Sequence, residues 1–334
     1  MSLLSSWLGS PLPDAAVEIA PTRVSAAVVV PRAGGLAVQA YAVEPLPHGA
    51  LIASLASHNV IDRATLARAV RTVLVRLGLR SARVALIIPD VTAKVSLLRF
   101  EQLPAQRDDL DQLVRWQVRK SAPFSIDEAC VSYTVGSRIP GSGTELVVLL
   151  ARKNLIEEYE GVCADAGAYA GLVDIATFSV VNLLLASARA GQGDWLAVHM
   201  RPEYTSIAIV RGEDLIFFRN RPEGDEDSLA DVVHQTAMYY EDRLAGMGFS
   251  RVLLGGSGRT DGAINQARRS LEERLRIAVE PIDPTDVVTL PDRIGVTGDL
   301  MDLLAPLSGM LLRTRRERDS DRGWAHPVAE AARV

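Results

Sequence analysis

Apolar residues along the chain form two patterns: short, nearly continuous runs and longer stretches with helical spacing. Val24 to Val30 is a valine-rich run, PRAGG at 31–35 is a turn, and Leu36 to Val43 alternates as the return strand of a hairpin. EPLPHG, with two prolines, ends that unit at Gly49. From Asp62, an N-cap residue, apolar side chains recur at Leu66, Val70, Val73, Leu74 and Leu77, and Gly78 stops the predicted helix. Arg83 to Pro89 reads as a buried strand.

The middle of the chain changes character. Val95 to Phe100 predicts a strand, and Asp108 to Lys120 a helix with Leu110, Leu113 and Val114 inward. A strand pair, Ala129 to Gly136 and Glu145 to Ala151, flanks the turn RIPGSG, and a helix from Asn154 to Ala166 follows. This βαββα block is compact enough to be an inserted subdomain. The opening pattern then returns. A helix at Thr177 to Ala188 leads to strands at Trp195 to Met200, Tyr204 to Val210 and Leu215 to Arg219. A helix at Ser228 to Leu244, a strand at Arg251 to Leu254, the loop GGSG and a helix at Gly262 to Leu275 complete the repeat. Two α/β halves of the same element order are therefore expected. The charged residues from Arg313 onward lack periodicity and predict a disordered tail.

Composition removes several function classes. A net charge of -5 argues against a dedicated nucleic-acid binder. Two cysteines, Cys130 and Cys163, cannot build a disulfide scaffold or a cysteine-rich zinc site, and both suit core packing. His48, His58, His234 and His326 have no metal-ligand spacing. The most apolar window, Leu172 to Ala188, is interrupted by Asp174 and Asn182 and falls short of the roughly 20 residues that span a bilayer. The start of the chain lacks the positive n-region of a signal peptide.

Several strings together carry a resemblance: YAVEPLPHGAL, VALIIPD followed by LLRFEQLP, LVRWQVRKSAPF, IFFRNRPEG and RVLLGGSG. Between about Val17 and Arg313 the chain resembles the type IV pilus assembly protein PilM family. That family lies within the actin-like ATPase superfamily, beside the cell-division protein FtsA and the cytoplasmic domain of the secretion protein GspL. The resemblance implies an α/β, actin-like ATPase fold of two ribonuclease-H-like halves with an inserted FtsA-like βαββα subdomain. The implied organisation is an N-terminal extension at 1–15, a first half at 16–99 and 173–190, the insert at 100–172, a second half at 191–312 and the tail at 313–334. It implies an adaptor at the cytoplasmic face of the inner membrane that binds the short N-terminal peptide of a PilN-like membrane protein. Other pilus or secretion subunits are further implied partners, and membrane association runs through partners. Groove residues would come from Leu97, Arg99 and Phe100, with Trp116 and Phe124 either lining the groove or filling the insert's own core.

The family's nucleotide site has two β-hairpin loops around the phosphates and a glycine-rich loop against the adenosine. Its first loop reads Asp-x-Gly, then small hydroxyl residues and a lysine. Here it reads Glu18, Ile19, Ala20, Pro21, Thr22, Arg23, Val24, Ser25, so that serine replaces the lysine and proline removes a donor. The second loop offers His199, Arg201 and Thr205 where aspartate, glycine and threonine belong. The adenosine loop, Gly255, Gly256, Ser257 and Gly258, keeps its glycines. The missing lysine is telling, because 33 of the 36 basic residues are arginine and bias alone would have put arginine at position 25. Each lost charged contact to phosphate costs about 1.5–3 kcal/mol. Four altered positions then imply a loss on the order of a thousandfold or more. The expectation is a pseudo-ATPase that needs no cofactor. Residual ATP or ADP binding is the alternative, through Arg23 and Arg201 forking onto phosphate without a metal. A nucleotide-switched ATPase, an FtsA-like filament scaffold and a GspL-like secretion component are the other readings.

Overall fold

The structure, a computed structural model, describes residues 13–32, 35–139, 143–187, 192–224, 228–256, 261–290 and 297–321. Several expectations fall on other residues: most of the N-terminal extension, parts of both hairpin turns, the end of the helix predicted to reach Ala188, Ser257 and Gly258 of the glycine loop, His326 and positions 322–334 of the tail.

The first sheet is built from β1 (Ala15–Ala20), β2 (Arg23–Arg32), β3 (Gly35–Pro45), β4 (Ala82–Ile88), β8 (Ala168–Ile175) and β14 (Val288–Thr289). Its order is β14-β3-β2-β1-β4-β8. The second contains β9 (Asp194–Met200), β10 (Tyr204–Arg211), β11 (Asp214–Pro222), β12 (Arg251–Gly256) and β13 (Val279–Pro281), in the order β11-β10-β9-β12-β13. In each sheet an antiparallel hairpin continues into parallel strands reached through helices.

The strands read as continuous apolar runs because both faces are covered. Along β4, Val84, Leu86 and Ile88 enter a core with α1 (Arg63–Arg76) and α3 (Lys153–Asp165), while Ala85 and Ile87 enter the core on the other face. That second core holds α4 (Ala176–Leu185) and α7 (Gly298–Asp321) together with Trp195 and Ala197 of β9. The alternate residues of β9, Leu196 and Val198, pack with α5 (Leu229–Arg243), and α6 (Asp261–Leu275) adds Leu271 to the same core. The result is five layers, with α4 and α7 between the two sheets.

The C-terminal segment departs from expectation twice. Val288 of β14 pairs with Leu36, so the chain returns to the first sheet instead of ending in the second half at 312. The helix α7 then continues past Arg313, where a disordered tail was expected. Arg313 forms an ion pair with the buried Asp174 of β8, which anchors the helix there. The sequence obscured α7 because Pro306 and Gly309 interrupt it and its apolar residues run all round the axis, the mark of a buried helix.

The insert comprises β5 (Ala93–Phe100), α2 (Arg107–Arg119), β6 (Ala129–Ile139) and β7 (Gly143–Arg152), with the sheet order β5-β7-β6. Leu110, Val114 and Val118 of α2 meet Leu146, Val148 and Leu150 of β7 in a core of their own. The expected limits of 100–172 therefore shift to about 93–152, because α3 and β8 pack on the first half. Tyr159, Val162 and Cys163 of α3 are fully buried there, and the Glu158 carboxylate accepts from the backbone N–H groups of Asn59 at 2.9 Å and Val60 at 3.1 Å. Among the described residues, no helix is long and apolar enough to cross a membrane.

Candidate functional site

The two sheets meet where β1 turns into β2 and β9 turns into β10. Glu18 lies on β1, opposite Ser25 of β2, and the turn between the strands carries Pro21 and Thr22. Across the cleft, the Arg201 backbone N–H donates to the Tyr204 carbonyl at 2.8 Å and closes the turn after β9. By the resemblance, these two hairpins correspond to the family's two phosphate loops.

What fills the space between them is protein. The Arg201 guanidinium donates directly to the Glu18 carboxylate, and the two side chains are almost wholly buried. Ser25 donates its hydroxyl to the same carboxylate at 3.1 Å, and Arg23 stands 3.8 Å away. Burial works most strongly against the charge on Arg201, but Glu18 together with Tyr204, Asp90 and Glu203 more than offsets it and raises the guanidinium above its ordinary value. For Arg23, which is farther from the carboxylate, burial dominates and lowers it. The remaining cavity, lined by Glu18, Ala20, Thr22, Arg201 and Tyr204 among others, is about 10 Å³, room for about one water molecule.

A second group of polar side chains crosses the cleft beside this pair. Asp90, just after β4, is fully buried. It accepts from the Thr177 backbone N–H at 2.9 Å, from the Thr177 hydroxyl, and from the Ser206 hydroxyl at 2.5 Å. The Asn220 amide donates to Ser206 at 2.9 Å. Burial raises the Asp90 carboxyl above its ordinary range, against the opposing pull of the Ser206 and Thr177 hydrogen bonds. Thr177 Oγ1 also lies 2.8 Å from Nδ1 of His199. With its own proton given to Asp90, that oxygen accepts from Nδ1–H. Burial, reinforced by Arg201 and Arg23, holds His199 well below its usual pKa, so the imidazole is neutral. Thr205 is buried on β10 and faces Met200 and Arg221 across the sheet.

These residues do not fit a phosphate–magnesium group. The carboxylate that would hold the metal carries a guanidinium, and the space for phosphate is closed by Arg201. Nor are Arg23 and Arg201 arranged as a fork onto an anion, because Arg201 is directed at Glu18.

Gly255 and Gly256 end β12, where a larger residue would push against the ends of isoleucine side chains. A Cβ on Gly256 would lie 2.4 Å from Ile264, and one on Gly255 would lie 2.9 Å from Ile282. A cavity of about 300 Å³ opens beside Gly256, lined by Ile264, Arg268, Glu280, Asp299 and Asp302 among others. Burial pushes the Asp302 carboxyl up to about 7, opposed by a hydrogen bond from the Gly256 backbone N–H.

The expected groove residues divide between different surfaces. Phe100 and Phe124 pack against the insert's own core beside α2. Leu97 and Arg99 alternate with Leu98 and Phe100 along β5 and so lie on the other face of the sheet, where Arg99 pairs with Glu145 at 3.0 Å. Trp116 is 59% exposed on α2, with the Lys120 ammonium 5.4 Å from its ring centre. Filling the insert core therefore describes Phe124 but not Trp116.

Sequence reasoning missed Asp90, Thr177, Ser206 and Asn220. The available signal was an aspartate at the carboxyl end of the apolar strand Arg83 to Pro89, a position where a buried carboxylate needs a local reason.

The arrangement can be compared with known proteins. A family profile described as type IV pilus assembly protein PilM matches residues 16–246. Among solved structures, the chain is similar to the PilM-PilN type IV pilus biogenesis complex, with a TM-score of 0.75 and 17% identity, covering 90% of this chain and 98% of that one. It also matches the cytoplasmic domain of EpsL, an inner membrane component of the type II secretion system of Vibrio cholerae (TM-score 0.48, 9% identity, 90% and 94% covered). Another match is the ethanolamine utilization protein EutJ from Carboxydothermus hydrogenoformans (TM-score 0.46, 12% identity, 91% and 90% covered). The fold is that of the solved PilM-PilN structure. With more than half of its length matched by the family profile, the chain belongs to the type IV pilus assembly protein PilM family.

Proposed function

We propose that this protein is an adaptor of type IV pilus assembly. It binds the cytoplasmic N-terminal peptide of a PilN-like inner-membrane protein and turns over no ATP. The observation that supports the reading is the buried Glu18–Arg201 pair between the two hairpins, with a cavity of only about 10 Å³ beside it, which leaves little room there for a nucleotide's phosphates. The similar solved structure is that of a PilM-PilN complex, which supports the choice of partner. The strand β5 is one of the two edges of the insert's three-stranded sheet, a position suited to a peptide that adds as a further strand through backbone hydrogen bonds. Side chains such as Leu97 would then contribute selectivity.

Isothermal titration of the full chain tests both arms. A PilN-like N-terminal peptide is expected to bind with one-to-one stoichiometry, and ATP–Mg²⁺ to give no heat. Absence of peptide binding would overturn the adaptor assignment, and ATP–Mg²⁺ binding in the low micromolar range would overturn the pseudo-ATPase assignment.

A further inference from the structure

We propose that the buried polar side chains of the cleft act as a built-in tie between the two halves, taking over the bridging role that a bound nucleotide would otherwise serve. This deepens the adaptor reading and rests on its account of the cleft. Three of the contacts have one partner on either side. Glu18 belongs to the first sheet and Arg201 to the turn leaving the second. Asp90 follows β4 of the first sheet, and Ser206 is on β10 of the second. Thr177 starts α4, which continues from the first sheet, and His199 is on β9 of the second.

The chemistry of the group suits that role. Phosphates and a metal place opposite charges between two hairpins, and here two guanidinium groups, Arg23 and Arg201, stand among the carboxyl groups of Glu18 and Asp90. In a buried ion pair the low-dielectric attraction offsets the cost of desolvating both charges, and the pair is costly to break, because removing one partner strands the other. The neutral His199 adds a hydrogen bond across the cleft without adding positive charge beside Arg201. The relative position of the halves is therefore independent of nucleotide concentration, and so is the surface offered to a partner.

A double-mutant cycle on the full chain tests the tie. E18Q and R201M are each expected to lower the folding equilibrium constant by roughly a hundredfold or more. The double variant is expected to be at least about tenfold more stable than the two effects combined would give, the signature of directly coupled partners. Hydrogen exchange supplies the second readout. R201M should raise exchange on both lips, in β1–β2 and at the start of α4 as well as in β9–β10, with β6 and β7 unchanged. An additive cycle, or loss of protection confined to the second half, would overturn the proposal. Should those variants not fold, S206A removes one hydroxyl and should still raise exchange at the Thr177 amide, which Asp90 holds. Unchanged exchange there would count against the tie. In the unaltered protein, ATP–Mg²⁺ should leave exchange of both lips as it is, and nucleotide-induced protection would refute the idea. These outcomes are separate from peptide capture, whose failure would affect the adaptor reading alone.

Discussion

Replacing Gly309 by alanine should destabilise the protein although alanine is the better helix former. Gly309 lies in α7 where that helix crosses α4. A Cβ placed there would be 1.8 Å from the Ser179 carbonyl oxygen, 2.8 Å from its carbon and 3.0 Å from the Leu183 nitrogen. All three are backbone atoms, so no rotamer change relieves the clash. Reaching an ordinary contact distance of about 3.5 Å requires the helices to part by roughly 1.5 Å. A radial gap of even 0.5–1 Å forfeits about a quarter to a half of each dispersion contact. The contacts at risk include Val180, Leu183, Leu304, Leu307 and Met310, all essentially fully buried. Alanine's helix propensity favours the substitution by about 1 kcal/mol, whereas overpacking of a rigid core costs about 1–3 kcal/mol and occasionally more. Because backbone opposes backbone here, the clash should exceed the usual range, at about 3–4 kcal/mol, for a net loss of about 2–3 kcal/mol. The loss should also reach the site, since Ser179 is two residues from Thr177. Urea unfolding at constant slope measures the difference, with G298A as the control because a Cβ at Gly298 meets nothing within 4 Å. A G309A stability within about 0.5 kcal/mol of the parent would refute the claimed close approach.

Two further predictions concern Asp302 and the insert. Asp302 has a folded-state pKa raised from 3.8 to about 7 by burial. Between those values the folded chain holds a proton that the unfolded chain has lost, so its contribution is greatest below pH 4 and disappears as pH rises through 7. D302N should remove that slope, and the stability difference between D302N and the parent should therefore change between pH 5 and 7.5 in urea titrations. Parallel curves would show that Asp302 is not shifted in this way. In the insert, F124A should cost about 2 kcal/mol, below the range for a fully buried phenylalanine because Phe124 is half-buried. By contrast, W116A should cost under about 1 kcal/mol, because Trp116 is exposed and gains only a cation–π contact. Equal losses for the two variants would contradict the division between core and surface.

The local pattern made most elements legible. Val24 to Val30 and Arg83 to Pro89 announced strands because a sheet covered on both faces needs apolar residues at every position. The helix after Asp62 was legible because its cap and its apolar stripe are adjacent in the chain, and Thr65 donates its backbone N–H to Asp62 as expected. The departures of Glu18, Ala20, Ser25, His199 and Arg201 from the family pattern were also readable, since each falls at a fixed position. Other features escaped local reading. Residues 298–312 contain Pro306 and Gly309, which look like helix breakers until α4 is seen to need the glycine's small profile. The helix α3 follows the insert's strands in sequence but buries Tyr159 and Val162 in the first half. Above all, the residues that depart from the family pattern gave no sign of what they contact in the folded chain. Glu18 and Arg201 are 183 positions apart, and neither the spacing nor the composition of either segment encodes their meeting. Local periodicity specifies which face of a strand is apolar. Only the closing of one sheet against the other removes water from two opposite charges and makes them partners.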